Sequence, residues 1–160
     1  MCAKRAGAAK PEIMIRDRIV ELRRVRAAEL LPNPRNFRRH PPAQQAALRG
    51  LLGEIGYADA LLARETPDGL MLIDGHLRAE TTPDADVPVL VLDLDDAEAD
   101  KLLATLDPLA AMATVDTDAL ADLLEMVRTD DDAIRDMLTG LAGEGGSSPT
   151  PALHTEADAP

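Results

Sequence analysis

Apolar and polar positions along this chain change period several times, and each change marks an element. In DRIVELRRV (17–25), Val20 and Leu22 alternate with Glu21 and Arg23, the period of a half-buried strand at a sheet edge. AAELLPNPRNFRRHPP (27–42) holds four prolines. The residue before a proline is pushed out of the helical region, so this stretch predicts a loop after at most one turn. From Pro42, the apolar residues Ala47, Leu48, Leu51, Leu52 and Ile55 recur on one helix face, and Gly56 ends the run.

DALLARE (59–65), the turn TPDG (66–69) and LMLID (70–74) read as a β-hairpin, with Pro and Gly where a tight turn wants them. HLRAE then opens a short helix that stops before Pro83. VPVLVLDLD (87–95) is nearly all apolar and β-branched, which predicts a central strand buried on both faces. Asp95 and Glu98 form a capping-box pair for a helix through AEADKLLATL that ends at Asp107-Pro108. Two amphipathic helices follow. One covers about 117–128, with Leu120, Leu123, Leu124 and Val127; the other covers about 132–142, with Ile134, Met137, Leu138 and Leu141, and ends at Gly143.

The order predicts an α+β fold: a small mixed β-sheet with packed helices, then a helical C-terminal extension. The expected divisions are a disordered basic arm (1–16), one domain (17–113), the helical extension (114–142) and a disordered tail (143–160) of linker composition. Hydrophobic residues are 46% of the 160, but with one Phe, one Tyr and no Trp the core must be aliphatic. The single cysteine, Cys2, excludes an internal disulfide and a CxxC zinc site. With neither a signal-peptide h-region nor an apolar run near membrane-spanning length, the expected location is the cytoplasm, away from membranes.

Charge adds an asymmetry. Residues 1–50 carry 12 Lys and Arg against 4 Asp and Glu; residues 51–160 carry 5 against 25. Either the basic half meets phosphate, including DNA, or the two halves solvate each other. Two groups of residues have chemistry suited to an anion. PNPRNFRRH (32–40) places Arg35, Arg38, Arg39 and His40 in a proline-stiffened loop, and guanidinium forks match phosphate oxygens. Phe37 there is expected to anchor the loop to the core, a stacked base being the alternative. DGHLR (74–78) sets Gly75, His76 and Arg78 where a strand passes into a helix. His76 either contacts phosphate, shuttles a proton or caps the turn. Asp74 and His76 supply two metal ligands at most, so no protein metal site is expected. The stripe on helix 117–128 reads as core or as an interface with a protein partner or a second copy.

Taken in order, these motifs resemble the N-terminal domain of the ParB/sulfiredoxin superfamily over about residues 19–106. The shared series is a strand, the Pro-Asn-Pro-Arg loop, a Gln- and Leu-bearing helix ending in Gly, a hairpin closing in a Gly-x-x-Arg turn, Val-Pro-Val, and a helix opened by Asp-x-x-Glu-Ala. The resemblance implies a nucleoside triphosphate, CTP or ATP with Mg2+, bound at the Gly-x-x-Arg turn. Arg35, Arg38, Arg39, Gly75, His76 and Arg78 would face its phosphates. Partition proteins of this superfamily are DNA-binding CTP switches with Gly-Glu-Arg-Arg at the turn, where this chain has Leu77 before Arg78. Sulfiredoxins place a cysteine where His76 stands, so their thiol chemistry is not expected here. A serine-kinase branch carries the Asp-Gly-His-x-Arg spelling found here, and other relatives are called ParB-like nucleases. An enzyme on this fold, whether nucleotide hydrolase, phosphotransferase or nuclease, would use Glu29 or Asp74 as general base with His76 positioning phosphate. The remaining expectations are a binding protein serving DNA metabolism in plasmid, phage or chromosome maintenance, and a non-catalytic adaptor.

Overall fold

The computed structural model describes residues 13–143. The elements are β1 (Ile19–Arg26), a 3-10 turn (Ala27–Glu29), α1 (Pro42–Glu54), β2 (Leu61–Thr66), β3 (Gly69–Asp74), α2 (His76–Thr81), β4 (Asp86–Leu92), α3 (Asp96–Ala111), α4 (Thr117–Met126) and α5 (Asp132–Gly143). The fold is α+β, and its sheet is mixed, in the order β1-β4-β2-β3. β1 runs antiparallel to β4, β4 parallel to β2, and β2 antiparallel to β3. A parallel neighbour needs a crossover rather than a hairpin, and β3 with α2 supplies it between β2 and β4. The strand-to-helix turn DGHLR is therefore part of the crossover.

Strand alternation builds two apolar layers. Leu61, Ala63, Leu72, Val87 and Val89 point to one face, where Ala27, Leu30 and Ala79 join them. Ile73 and Leu92 point to the other, against Ala99 and Leu103 of α3. β4 is accordingly buried on both faces, as its unbroken apolar run predicts. Pro88 sits one residue before the pairing with β2 begins at Leu61↔Val89, where its missing N–H costs no bond to that strand. β1 is the predicted edge, and Val20 and Leu22 on it remain 64% and 59% exposed.

Asp95 accepts from Glu98 N–H at 2.8 Å and Glu98 accepts from Asp95 N–H at 3.1 Å, closing the predicted capping box of α3. Glu98 also takes both arms of Arg18 at 2.7 Å each, tying the approach to β1 to the start of α3. Arg18, then the Asp95 N–H, hold the Glu98 carboxyl down to about 2.

Three expectations need correction. Helix α3 does not stop at Asp107-Pro108 but continues to Ala111, with Pro108 inside it. A proline removes one N–H, yet the following Leu-Ala-Ala favours helix strongly enough to close another turn, in which Met112 N–H donates to Pro108 O at 3.2 Å. Phe37 is not packed in the core: it is 61% exposed. Finally, α4 fully buries none of its residues: Leu120 and Leu124 of its stripe are half-buried and Leu123 and Val127 exposed, so the core reading of the stripe fails for its exposed half and the interface reading stands. α5 docks on α1. Glu54 at the end of α1 accepts from the Thr129 hydroxyl at 2.7 Å and Asp130 N–H at 3.1 Å. Asp131 then accepts from Ile134 N–H at 3.0 Å, and Ile134 is buried. The expected disordered arm and tail lie, for residues 1–12 and 144–160, outside the described residues. Among the described residues, no helix is long and apolar enough to cross a membrane.

Candidate functional site

At the end of β3 the chain turns into α2 through Gly75, whose φ is 98°. A Cβ at that position would lie 2.5 Å from Leu61 Cγ, inside the buried layer. Both the backbone and the space therefore require glycine. α2 has only six residues, so its dipole adds little, and the chemistry of the turn rests on side chains.

His76, the first residue of α2, is 4% exposed. Its Nε2 accepts the backbone N–H of Asn33 at 3.0 Å. A ring nitrogen that accepts carries no proton, so the proton is on Nδ1 and the imidazole is neutral. Nδ1 is itself buried and has no partner among the described residues. Burial first, then the Arg38 charge, push the His76 pKa below its ordinary value, with Glu80 and Asp74 acting the other way. His76 thus pins the proline loop to the strand-to-helix turn. Its partner Asn33 is 9% exposed, and its side chain accepts Arg35 N–H at 2.9 Å, which folds the loop into a tight turn. Sequence reasoning passed over Asn33. The signal was an Asx residue held between two prolines.

Asp74 gathers two arginines from separate motifs. Arg38 donates to its Oδ1 at 3.1 Å and Arg78 to its Oδ2 at 2.9 Å. The side chains of Arg38 and Arg78 are 15% and 16% exposed, and that of Asp74 is 26%. Arg38 also donates to Leu103 O at 3.4 Å, and its Nε lies 2.6 Å from Asp107 Oδ2 without hydrogen-bond alignment. The Arg38 guanidinium stands 5.7 Å from the centre of the Phe37 ring, which gives that exposed aromatic a cation–π contact in place of a core one. Arg78 holds Asp59 at 2.7 Å with its other arm.

These side chains line a cleft of about 440 Å³. Its lining includes the polar and charged Arg38, His40, Asp59, Asp74, His76, Arg78 and Asp107, with Gly75, and the apolar Leu48, Leu51, Leu52 and Ile55 from α1 and its end. The remaining sequence candidates are elsewhere. Arg35 is paired with Asp100 and 69% exposed, and it does not line the cleft. Arg39 is exposed and makes no ion pair among the described residues. Glu29 is exposed and borders a separate depression with Arg23, Arg24 and Gly69.

No protein-family model and no curated protein matches the sequence. Solved structures resemble the fold, among them two of ParB. One is the C-terminally truncated chromosome-partitioning protein ParB from Caulobacter crescentus complexed with CTP-gamma-S. It is 16% identical, with a TM-score of 0.51, over 76% of this chain and 79% of that one. The other is the truncated ParB of the same organism complexed to the centromeric parS site, 18% identical with a TM-score of 0.44 over 77% and 67%. The likeness is one of fold: the mixed four-stranded sheet with its packed helices is ParB-like.

Proposed function

We propose that this chain is a nucleotide- and phosphate-binding domain serving DNA metabolism in plasmid, phage or chromosome maintenance, and that the DGHLR cleft is its triphosphate site. The observation that carries this reading is the convergence of Arg38 and Arg78 on the single carboxylate of Asp74 at the cleft. Two guanidinium forks held by one carboxylate are aimed without being buried beyond reach, and such forks suit phosphate oxygens. Gly75 lines the cleft, and the apolar side chains of α1 along it suit the sugar and base of a nucleotide. The CTP-gamma-S in the fold neighbour makes CTP the first nucleotide to test and ATP the second. Among the described residues no three His, Cys, Asp or Glu side chains are placed to hold a metal. Mg2+ would therefore arrive with the phosphates and be held by them and by water. Arg24, Arg39 and Arg49 of the basic half are exposed and outside any ion pair among the described residues, which suits them to meet DNA, and the work would lie in the cytoplasm.

The geometry favours binding over turnover. Both Asp74 oxygens already accept from arginines, and His76 Nε2 is engaged by Asn33, so neither is free as a general base in this arrangement. Calorimetric titration with CTP, ATP, ADP and GTP in Mg2+, with and without DNA, tests the reading. Arg78→Ala should weaken nucleotide binding roughly 10- to 100-fold, as loss of charge-assisted hydrogen bonds does. Unchanged affinity in a folded variant refutes the site. Turnover of labelled nucleotide by the wild-type protein would instead favour the enzymatic reading.

A further inference from the structure

Each of the two arginines at the cleft already carries more than one carboxylate. Arg78 holds Asp74 and Asp59, and Arg38 holds Asp74 with Asp107 beside its Nε. Two guanidinium charges thus face three carboxylates, and the cleft is not cationic as it stands. The three acids differ in how they are held. Asp74 is 26% exposed and shared by both arginines, so its departure would strand two half-buried cations. Asp59 is 80% exposed, precedes β2 and touches only Arg78 among the arginines. Asp107 is 56% exposed, lies on α3 and touches only Arg38. Ion pairs with so exposed a partner are weak and readily exchanged.

We propose that Asp59 and Asp107 are exchangeable stand-ins for the ligand's anionic oxygens, and that by weakening each phosphate contact they set a threshold that two or more linked phosphates clear and a single phosphate does not. This inference rests on the phosphate-binding reading above. The selectivity follows from exchange. A monophosphate that displaces one carboxylate swaps one anion for another and still bears the full loss of its own translational freedom. A diphosphate displaces both carboxylates from one tethered pair of groups and bears that loss once. Asp74 stays in place throughout as the clamp that spaces the two forks. The pair therefore sets a threshold: a single charged group is rejected, and two linked ones are accepted.

The test is calorimetry with inorganic phosphate and inorganic pyrophosphate, each without and with Mg2+, on the wild-type chain, Asp59→Asn, Asp107→Asn and the double variant. Asparagine keeps the side-chain oxygen that accepts Ala60 N–H at 2.7 Å, so the Asp59 turn is retained. Circular dichroism checks the fold of each variant. Without Mg2+, each substitution should tighten pyrophosphate binding by about two- to five-fold, the scale of one exposed ion pair. In the double variant phosphate, which exchanges one carboxylate, should gain about two- to five-fold, whereas pyrophosphate, which exchanges both, should gain about the product of the two single effects. If the wild-type chain binds pyrophosphate and the variants bind it equally or more weakly, the stand-in role is overturned. Weaker binding only in Mg2+, with no change without it, overturns it as well and makes the two acids metal holders. If Asp107→Asn fails to fold, Asp59→Asn decides alone. Absence of pyrophosphate and nucleotide binding in every folded form, double variant included, instead overturns the phosphate-binding reading itself.

Discussion

Replacing Gly75 by alanine separates two costs that the structure assigns to this turn. Gly75 and Gly56 both have positive φ, 98° and 87°. They differ in what a methyl group would meet. At Gly56 nothing lies within 4 Å, whereas at Gly75 the new Cβ would fall 2.5 Å from Leu61 Cγ and 3.0 Å from Leu61 Cβ. Leu61 is completely buried in the layer between β2 and α2 and has no room to retreat. Gly56→Ala should therefore cost about 1 kcal/mol, the strain of a left-handed residue with a side chain. Gly75→Ala should cost that strain plus about 1–3 kcal/mol of overpacking, roughly 2–4 kcal/mol in all. The assay is urea unfolding followed by circular dichroism on the two single variants. With an m-value of about 1–2 kcal/mol/M, the midpoint of Gly75→Ala should fall about 0.5–3 M below that of Gly56→Ala, with m unchanged. Equal midpoints for the two variants would show that Leu61 yields freely, and the steric argument for glycine in the DGHLR turn would fail.

Two further outcomes follow from other parts of the fold. The His76 pKa is lowered in the folded chain, so the unfolded chain takes up a proton first as pH falls below about 6.5. Stability should be full above that pH and decline below it until the folded-state pKa is reached; in His76→Phe, where nothing titrates, that slope should be absent from the urea midpoints measured between pH 7 and 5. A slope unchanged by the substitution would assign it to other groups. The helical extension leaves Leu123, Met126 and Met137 58%, 79% and 53% exposed, and exposed apolar side chains that gather in a patch mark association surfaces. We expect self-association through it, read by sedimentation as a concentration-dependent mass that Met126→Asp returns to the monomer; a monomeric wild-type chain at all concentrations would refute this.

The elements were legible in the sequence because each carries an uninterrupted period. The alternation in β1, the continuous apolar run of β4 and the Asp95–Glu98 box each match one local rule, although β1 starts two residues later than predicted, β4 ends three earlier and α3 runs on past Pro108 to Ala111. Pro108 and Phe37 were misread because both depend on context. A proline ends a helix only when the residues after it do not favour another turn, and Leu-Ala-Ala does favour one. A lone aromatic is drawn to a core only when that core has a vacancy, and the aliphatic layers here close without Phe37. In the site, Gly75, His76, Arg78 and Arg38 could be singled out from spacing and residue type. Which of the several arginines meet at one place could not, because that is a property of the crossover and not of any local period.

Asp74 shows what pairing changes. Read along the chain, it was a carboxylate beside a histidine, and so a candidate base. In the fold its two oxygens are divided between Arg38 and Arg78, and both accept from their guanidinium groups. The same division gives it a different use. A carboxylate that accepts from two forks fixes their spacing before any ligand arrives, which lowers the ordering cost of binding a phosphate chain across them. His76 acts in the same sense from the other side: through Asn33 N–H it keeps the loop bearing Arg38 in register with the turn bearing Arg78. The acid and the imidazole are thus better suited to holding two cations at a set separation than to moving a proton. That is why the cleft is read as a binding site whose selectivity lies in the number and spacing of a ligand's anionic groups.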